Sequence, residues 1–353
     1  MSELKTGGER GYLRIATEEA FCPPELAAAW REMIAGGEVD DPGFVSLVGF
    51  YQTHASERAR LIGERLQDLG ERRLSDMDAA GIDRQIISLT SPGTQVFDQG
   101  RAVGFATLAN DQLAEACRAH PDRFTGLTAI APQDPAHAAT EIERGARELG
   151  FKGVIINSHT RGEYLDDRKF WPIFEAAQAL DTPIYLHPNT PPSSMIQPLL
   201  EAGLDGAIYG FAVETGMHLL RIITSGALDE FPRLKIVVGH LGEALPFWLY
   251  RLDYMHAATV RSKRYDVMKP LQRKVSDYLR ENVWVTTSGM AWAPAIKFCR
   301  SVLGADHVLY AMDYPYEYEP DEVHAQDELP LSPDEIKAFY QTNAERLFGL
   351  DRD

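Results

Sequence analysis

GVIINSHTRGEYLDDRKFWPIFEAAQALDTPIYLHP (residues 153–188) holds two β-branched apolar runs with a helical segment between them. GVIINSH (153–159) is apolar until it closes on polar residues, and FWPIFEAAQAL (170–180) has helical apolar spacing. After a break at LDTP, PIYLHP (183–188) is again apolar until it reaches His187. Runs of this length without polar alternation read as strands buried on both faces, as in a parallel sheet. A strand, a helix and a second strand in that order form the repeating unit of α/β proteins.

The same kind of run recurs at RIATEE (14–19), QIISLTS (85–91), FTGLTAI (124–130), KIVVGH (235–240), VWVTTS (283–288) and VLYAMD (308–313). Amphipathic segments fall between them, among them 56–80 behind a Ser56 cap, 138–149, 216–228 and 332–348. Several hand over to the next strand through a Gly or Pro break. Eight such strands predict an α/β fold, a (β/α)8 TIM barrel, as one domain over 1–353. Residues 21–84 are expected to form a helical insertion after strand 1 that caps the barrel mouth. A doubly wound sheet would call for a glycine-rich turn after the first strand, and TEEAFCPPE has none.

Composition narrows the function classes. A hydrophobic fraction of 44% and a charged fraction of 25% are those of a soluble globular chain. The formal net charge of −17 argues against nucleic acid and anionic membranes as partners, since both need clustered Lys and Arg. The three cysteines, Cys22, Cys117 and Cys299, are widely spaced and suit a reducing compartment. The polar start MSELKTGGERGYLR and the lack of a long apolar run predict a cytoplasmic protein with no signal peptide.

In a barrel, the C-terminal strand ends converge on one face, where chemistry is built. Those ends carry Glu18 and Glu19 (strand 1), His187 (strand 5), His240 (strand 6) and Asp313 (strand 8). Thr90 and Ser91, His159 and Ser288 close strands 2, 4 and 7 as lesser candidates. A single His at a strand end is more often a hydrogen-bonded structural residue, and a single Asp before YPY a turn cap. Two His and several carboxylates on one mouth are best explained by a divalent-metal site. Because strand residues alternate sides, at most one of Glu18 and Glu19 is expected to face the barrel axis, the other being solvated or salt-bridged.

The motifs ATEEAF, YLHP, VVGHLGEALPFWLYRLD and YAMDYPY resemble the amidohydrolase superfamily. Within it they resemble the nonoxidative decarboxylase branch that includes aminocarboxymuconate semialdehyde and γ-resorcylate decarboxylases. The likeness runs from about Tyr12 to the C-terminus. The superfamily usually places a His-x-His metal pair at the end of strand 1. The match here falls on Glu18-x-Ala20, so the resemblance implies Glu18 as a ligand and a vacant second position. It also implies His187 and Asp313 as ligands. The strand 4 lysine that bridges two metals in hydrolases has no counterpart, since Lys152 lies at the opposite strand end.

The resemblance therefore implies one divalent ion, with no organic cofactor, and a carboxy-lyase acting on an ortho-hydroxylated aromatic acid of lignin-derived catabolism. Two carboxylates and one imidazole lean toward Mn²⁺, with Zn²⁺ also allowed. A metal-dependent hydrolase of an aromatic catabolite is the alternative. Asp313 is expected to act as general acid, with His240 hydrogen-bonded to it or to the substrate. A dicarboxylate-type substrate would need cations and a ring slot, for which Arg251, Arg58, Tyr51, Tyr316 and Thr90 are the candidates. Related decarboxylases place an Arg at the Arg251 position across a subunit interface, which implies a homodimer or homotetramer.

Overall fold

The computed structural model describes residues 7–37, 39–52 and 56–350. Each of the eight apolar runs forms a strand. They are β1 (Ile15–Phe21), β2 (Arg84–Leu89), β3 in two pieces (Phe124–Gly126 and Thr128–Ala129), β4 (Val154–Asn157), β5 (Ile184–His187), β6 (Ile236–Val238), β7 (Val283–Thr286) and β8 (Val308–Leu309). All neighbouring strands pair in parallel.

Two seams complete the circle. At the interruption in β3, the Leu127 amide donates to Ile87 O at 2.9 Å and the Thr128 amide to Gly153 O at 2.8 Å. Between first and last strands, the Thr17 amide donates to Tyr310 O at 3.1 Å and the Ala20 amide to Tyr314 O at 2.6 Å. The result is the (β/α)8 barrel, with every residue of β1 buried. Ile86, Ile87, Val154, Val237 and Val238 fill its core without measurable exposure beyond 0%. Fully burying each such side chain contributes about 1.5–3 kcal/mol.

β1 departs from plain alternation. Ala16 pairs with Gln85 and Glu19 with Ile87, so β1 holds one more residue than β2 between these pairs. Such a bulge bends the strand and re-aims its side chains. Glu18 and Glu19 are both buried, at 4% and 0% exposure, as in a strand covered on both faces. The expectation of a solvated or salt-bridged Glu19 is corrected: its carboxylate accepts from the Met312 amide at 3.1 Å and the Tyr314 amide at 3.0 Å.

The insertion folds as helices Pro24–Gly36, Pro42–Gln52, Glu57–Leu66 and Glu71–Ala80. The single helix expected over 56–80 is thus two. Ser56 caps the first, accepting from the Ala59 amide at 3.1 Å. Asp68 opens the second, since Asp68 Oδ1 accepts from the Gly70 amide at 2.9 Å and the Arg73 amide at 3.2 Å. An Asp that satisfies nearby amides competes with the helix ladder. Similarly, the segment 216–228 is Gly210–Thr224 followed by Ala227–Glu230, interrupted at Gly226 with φ 83°. The C-terminal segment starts on a Ser332–Glu335 capping box and becomes π-helical over Ala338–Thr342. No helix among the described residues is long and apolar enough to cross a membrane.

Candidate active site

At the C-terminal strand ends lies a cavity of about 240 Å³. Its floor includes His187, His240, Asp313, Thr90 and Ser91; its roof includes Trp30, Arg31, Tyr51 and Arg58 of the insertion helices, with Phe211 and Tyr316 at the side. This is smaller than the 300–1,000 Å³ usual for drug-sized ligands and suits a single substituted ring.

Glu18 is held from one side. Its Oε2 accepts from Thr286 Oγ1 at 2.6 Å and from the Tyr185 hydroxyl, while its buried Oε1 has no hydrogen-bond partner. Gly239 makes room for this carboxylate, because a Cβ there would stand 2.7 and 2.8 Å from its two oxygens. His187 Nε2 lies 3.5 Å from the orphaned Oε1. His187 Nδ1 meets the Pro188 carbonyl at 2.9 Å, so Nδ1 carries the proton and Nε2 presents a lone pair. Burial pulls the His187 pKa down against the pull of Glu18, which keeps the ring neutral.

Two acceptors therefore face each other with no proton between them. A divalent cation fits that arrangement, since ligands about 2.1 Å from a common ion stand roughly 3–3.5 Å apart. Among the described residues no three His, Cys, Asp or Glu side chains already close into a cage. Glu18 and His187 converge, while Asp313 and His240 line the same cavity.

His240 Nε2 lies 3.9 Å from Glu18 Oε1, and its Nδ1 bonds Glu243 Oε1 at 2.8 Å. Among described contacts the ring's hydrogen bond is thus to Glu243 rather than to Asp313, a partner the sequence reading missed. The His240-to-Glu243 spacing was its only signal, and it was hidden in VVGHLGE. Burial disfavours a charged His240, but Glu243, Glu18 and the Glu243 hydrogen bond outweigh it and push the ring up to about 10. Burial and then Glu18 push Asp313 up to about 8, against the pull of His240. His240 (φ 50°) and Asp313 (φ 59°) both sit in left-handed backbone. Non-glycine residues held there concentrate at functional sites.

Three ring-slot candidates come together. Thr90 Oγ1 and the Tyr316 hydroxyl are 2.7 Å apart, and the Tyr51 ring meets Tyr316 edge-on at 5.5 Å between centroids. Arg58 lines the same cavity and donates to Tyr316 O at 2.7 Å. Arg31, on helix Pro24–Gly36, joins it there and was not foreseen. Arg251 is not in this chain's cavity. It lies exposed on helix Leu245–Ser262, over Trp248 at 5.9 Å.

The lesser candidates divide. Ser91 lines the cavity and donates to Asn189 Oδ1 at 3.1 Å. His159 is a satisfied interior residue, bonding Thr190 O at 3.0 Å and the Gly162 amide at 3.1 Å. Ser288 is fully buried at 0% exposure. β4 ends in Asn157 with no lysine following, while Lys152 precedes the strand at the other end.

Comparisons with known proteins place the chain in a family. A family model described as amidohydrolase matches residues 51–350. γ-Resorcylate decarboxylase of Rhizobium sp. (strain MTP-10005) is 35% identical over 350 residues, covering 96% of this chain and 98% of its own. Among solved structures, 5-carboxyvanillate decarboxylase from Novosphingobium aromaticivorans DSM 12444 is 60% identical with a TM-score of 0.97, covering 99% of both chains. That structure holds manganese and 4-hydroxy-3-methoxy-5-nitrobenzoic acid. The 5-carboxyvanillate decarboxylase of Sphingomonas paucimobilis is 39% identical with a TM-score of 0.89, covering 96% of this chain and 99% of its own.

Proposed function

The chain belongs to the amidohydrolase family, and from that membership and its site we propose a metal-dependent carboxy-lyase that converts 5-carboxyvanillate to vanillate and CO2. The observation that carries the proposal is the facing pair of acceptors, Glu18 Oε1 and His187 Nε2 at 3.5 Å, beside Asp313 in a ring-sized cavity. The likeness to 5-carboxyvanillate decarboxylases supports the substrate. The nitro compound held by the Novosphingobium enzyme carries a planar two-oxygen group beside the phenol, a stand-in for the departing carboxylate.

We assign Glu18, His187 and Asp313 to one divalent ion, Mn²⁺ in preference to Zn²⁺, because two of the three donors are carboxylates. When bound, the ion supplies a Lewis acid that anchors the phenolate and one carboxylate oxygen of the substrate. The chain's own residues do the rest. Tyr51 and Tyr316 flank a slot for the ring, and Arg31 and Arg58 offer guanidinium donors to its carboxylates. Asp313, which lines the cavity beside the facing pair, is the general acid that delivers a proton to the ring carbon bearing the departing carboxylate. The bond to the carboxylate then breaks, its electron pair restores aromaticity, and CO2 leaves. His240, held by its 2.8 Å bond to Glu243, lines the same cavity next to the reacting group. Ala20 and the lysine-free end of β4 weigh against the alternative, a metal-dependent hydrolase (lactonase or C–C hydrolase) of an aromatic catabolite.

Helix Leu245–Ser262 exposes Phe247 (75%), Tyr250 (83%) and Tyr254 (58%) around Arg251. This aromatic face supports a homodimer, alone or paired into a tetramer, in which Arg251 of one protomer completes the other's pocket. We read the chain as one barrel domain acting in the cytoplasm on lignin-derived aromatics. Steady-state kinetics with Mn²⁺-loaded enzyme test the substrate assignment. The ratio kcat/KM is expected to favour 5-carboxyvanillate over 2,6-dihydroxybenzoate by at least about tenfold; equal or reversed preference would overturn it.

A further inference from the structure

Glu19 is the most deeply buried carboxylate beside the site, and no role in the reaction above falls to it. It is 0% exposed. Its two oxygens take separate donors: Oε1 accepts from the Met312 amide at 3.1 Å and Oε2 from the Tyr314 amide at 3.0 Å. Those amides flank Asp313 on both sides. Asp313 itself has φ 59°, a backbone conformation that a residue with a Cβ rarely adopts unless its surroundings impose it.

The neighbours of Glu19 hold the grip in place. Gln85 Nε2 approaches Oε2 at 3.5 Å, and Gln85 Oε1 in turn accepts from Arg73 Nη1 at 3.1 Å. Arg73, also 0% exposed, donates to Ala20 O at 2.6 Å, and its guanidinium lies 4.5 Å from the Tyr314 ring centroid. Glu18 and Glu19 thus take different partners, Glu18 meeting Tyr185 and Thr286 and Glu19 meeting Gln85 and the two amides. Simple strand pairing does not account for the contact. The backbone bonds from Thr17 to Tyr310 and from Ala20 to Tyr314 already join β1 to the last strand, and the Glu19 side chain takes amides which that pairing leaves over.

We propose that Glu19 is a positioning residue whose carboxylate grips the amides on either side of Asp313 and holds it in the left-handed turn that presents its side chain to the cavity. One strand segment thereby does two jobs: Glu18 contributes a ligand, and Glu19 sets the geometry of a group on the opposite side of the barrel seam. The inference rests on the assignment of Asp313 to the metal and to proton delivery.

The test compares Mn²⁺ affinity, kcat and KM for wild type, E19Q, D313N, E19Q/D313N and a control, Thr17→Val. The control removes a different seam contact, Thr17 Oγ1 to Tyr310 O at 2.8 Å, without touching the Asp313 turn. A glutamine at 19 can accept only one of the two amides. E19Q is expected to weaken Mn²⁺ binding by at least about tenfold and to lower kcat more than it raises KM, whereas Thr17→Val lowers thermal stability alone. Adding E19Q to D313N should weaken Mn²⁺ by less than about threefold, because the two act through one group. Wild-type affinity and kcat in E19Q, or losses that multiply in the double variant, would overturn the proposal. If E19Q does not fold, E19D carries the same comparison, since its shorter side chain releases at least one amide. Hydrogen exchange of a peptide spanning residues 310–316 separates the two claims. If wild type shows neither turnover nor Mn²⁺ binding, yet E19Q (or E19D) speeds exchange there selectively, the functional reading fails and the grip stands; unchanged exchange ends it.

Discussion

Glu18 Oε1 and His187 Nε2 face one another at 3.5 Å, each with a lone pair and neither with a hydrogen to share. Replacing His187 by Ala removes one half of this pair. Mn²⁺ affinity is expected to fall by at least about a hundredfold, with turnover lost in parallel, as measured by metal titration and CO2 release. Stoichiometric Mn²⁺ retained by the variant would end the ligand assignment. In the wild type, Mn²⁺ at a hundredfold excess over Kd should stabilise the fold by about 2.7 kcal/mol, and a chelator should reverse this.

Gly239 gives the account a steric test. A Cβ at this position would press to 2.7 Å on the Glu18 carboxylate. Gly239→Ala should therefore weaken Mn²⁺ binding about tenfold or more. Its CD spectrum should stay that of wild type, because the strain falls on the carboxylate rather than on the strand. Unchanged affinity would mean that Glu18 can move without consequence.

Stability should respond to pH through a buried carboxyl that does not line the cavity. Glu214 is fully buried, and burial pushes it up to about 8 against the pull of the neighbouring Ser158, Tyr164 and Thr215 hydroxyls. The folded state therefore holds a proton that the unfolded chain releases near its ordinary 4.5. The stability from this group is fully present below about 4.5 and is lost as pH rises through about 8, amounting to a few kcal/mol. Glu214→Gln should flatten the slope of unfolding free energy against pH in that window. An unchanged slope contradicts the assignment.

The exposed aromatic helix predicts an interface. Tyr250→Asp, on a side chain 83% exposed, should shift the protein to monomers in light scattering. KM for 5-carboxyvanillate should rise severalfold, as it should in Arg251→Ala. Monomers with wild-type KM would separate Arg251 from substrate binding.

What could be read from the sequence was the part governed by hydrophobic burial. The apolar runs of β5, β6 and β8 lead to His187, His240 and Asp313, which line the cavity at the barrel mouth, whereas Glu18 lies inside β1. Backbone irregularity was not legible. The register shift at Ala16–Glu19 and the amide partners of Glu19 left no mark in the residue pattern. The left-handed turns at His240 and Asp313 involve no glycine at those positions, so composition gave no warning. Glu243 and Arg31 reach the site through a tight turn and a capping helix, whose placement depends on the assembled fold. Asp68 splits the segment 56–80 by capping a second helix from Glu71, a contact that propensity alone underweights.

The central claim is that Asp313 protonates the ring carbon as the carboxylate leaves from a metal-anchored phenol. Mn²⁺-loaded enzyme supplied with 5-carboxyvanillate in D2O tests it most directly, by mass and NMR spectra of the product. The account predicts CO2 and vanillate with a single deuterium at the former carboxyl position, and severe loss of turnover in Asp313→Asn. Ring-opened or hydrolysed product without CO2, or near wild-type turnover in Asp313→Asn, would contradict it.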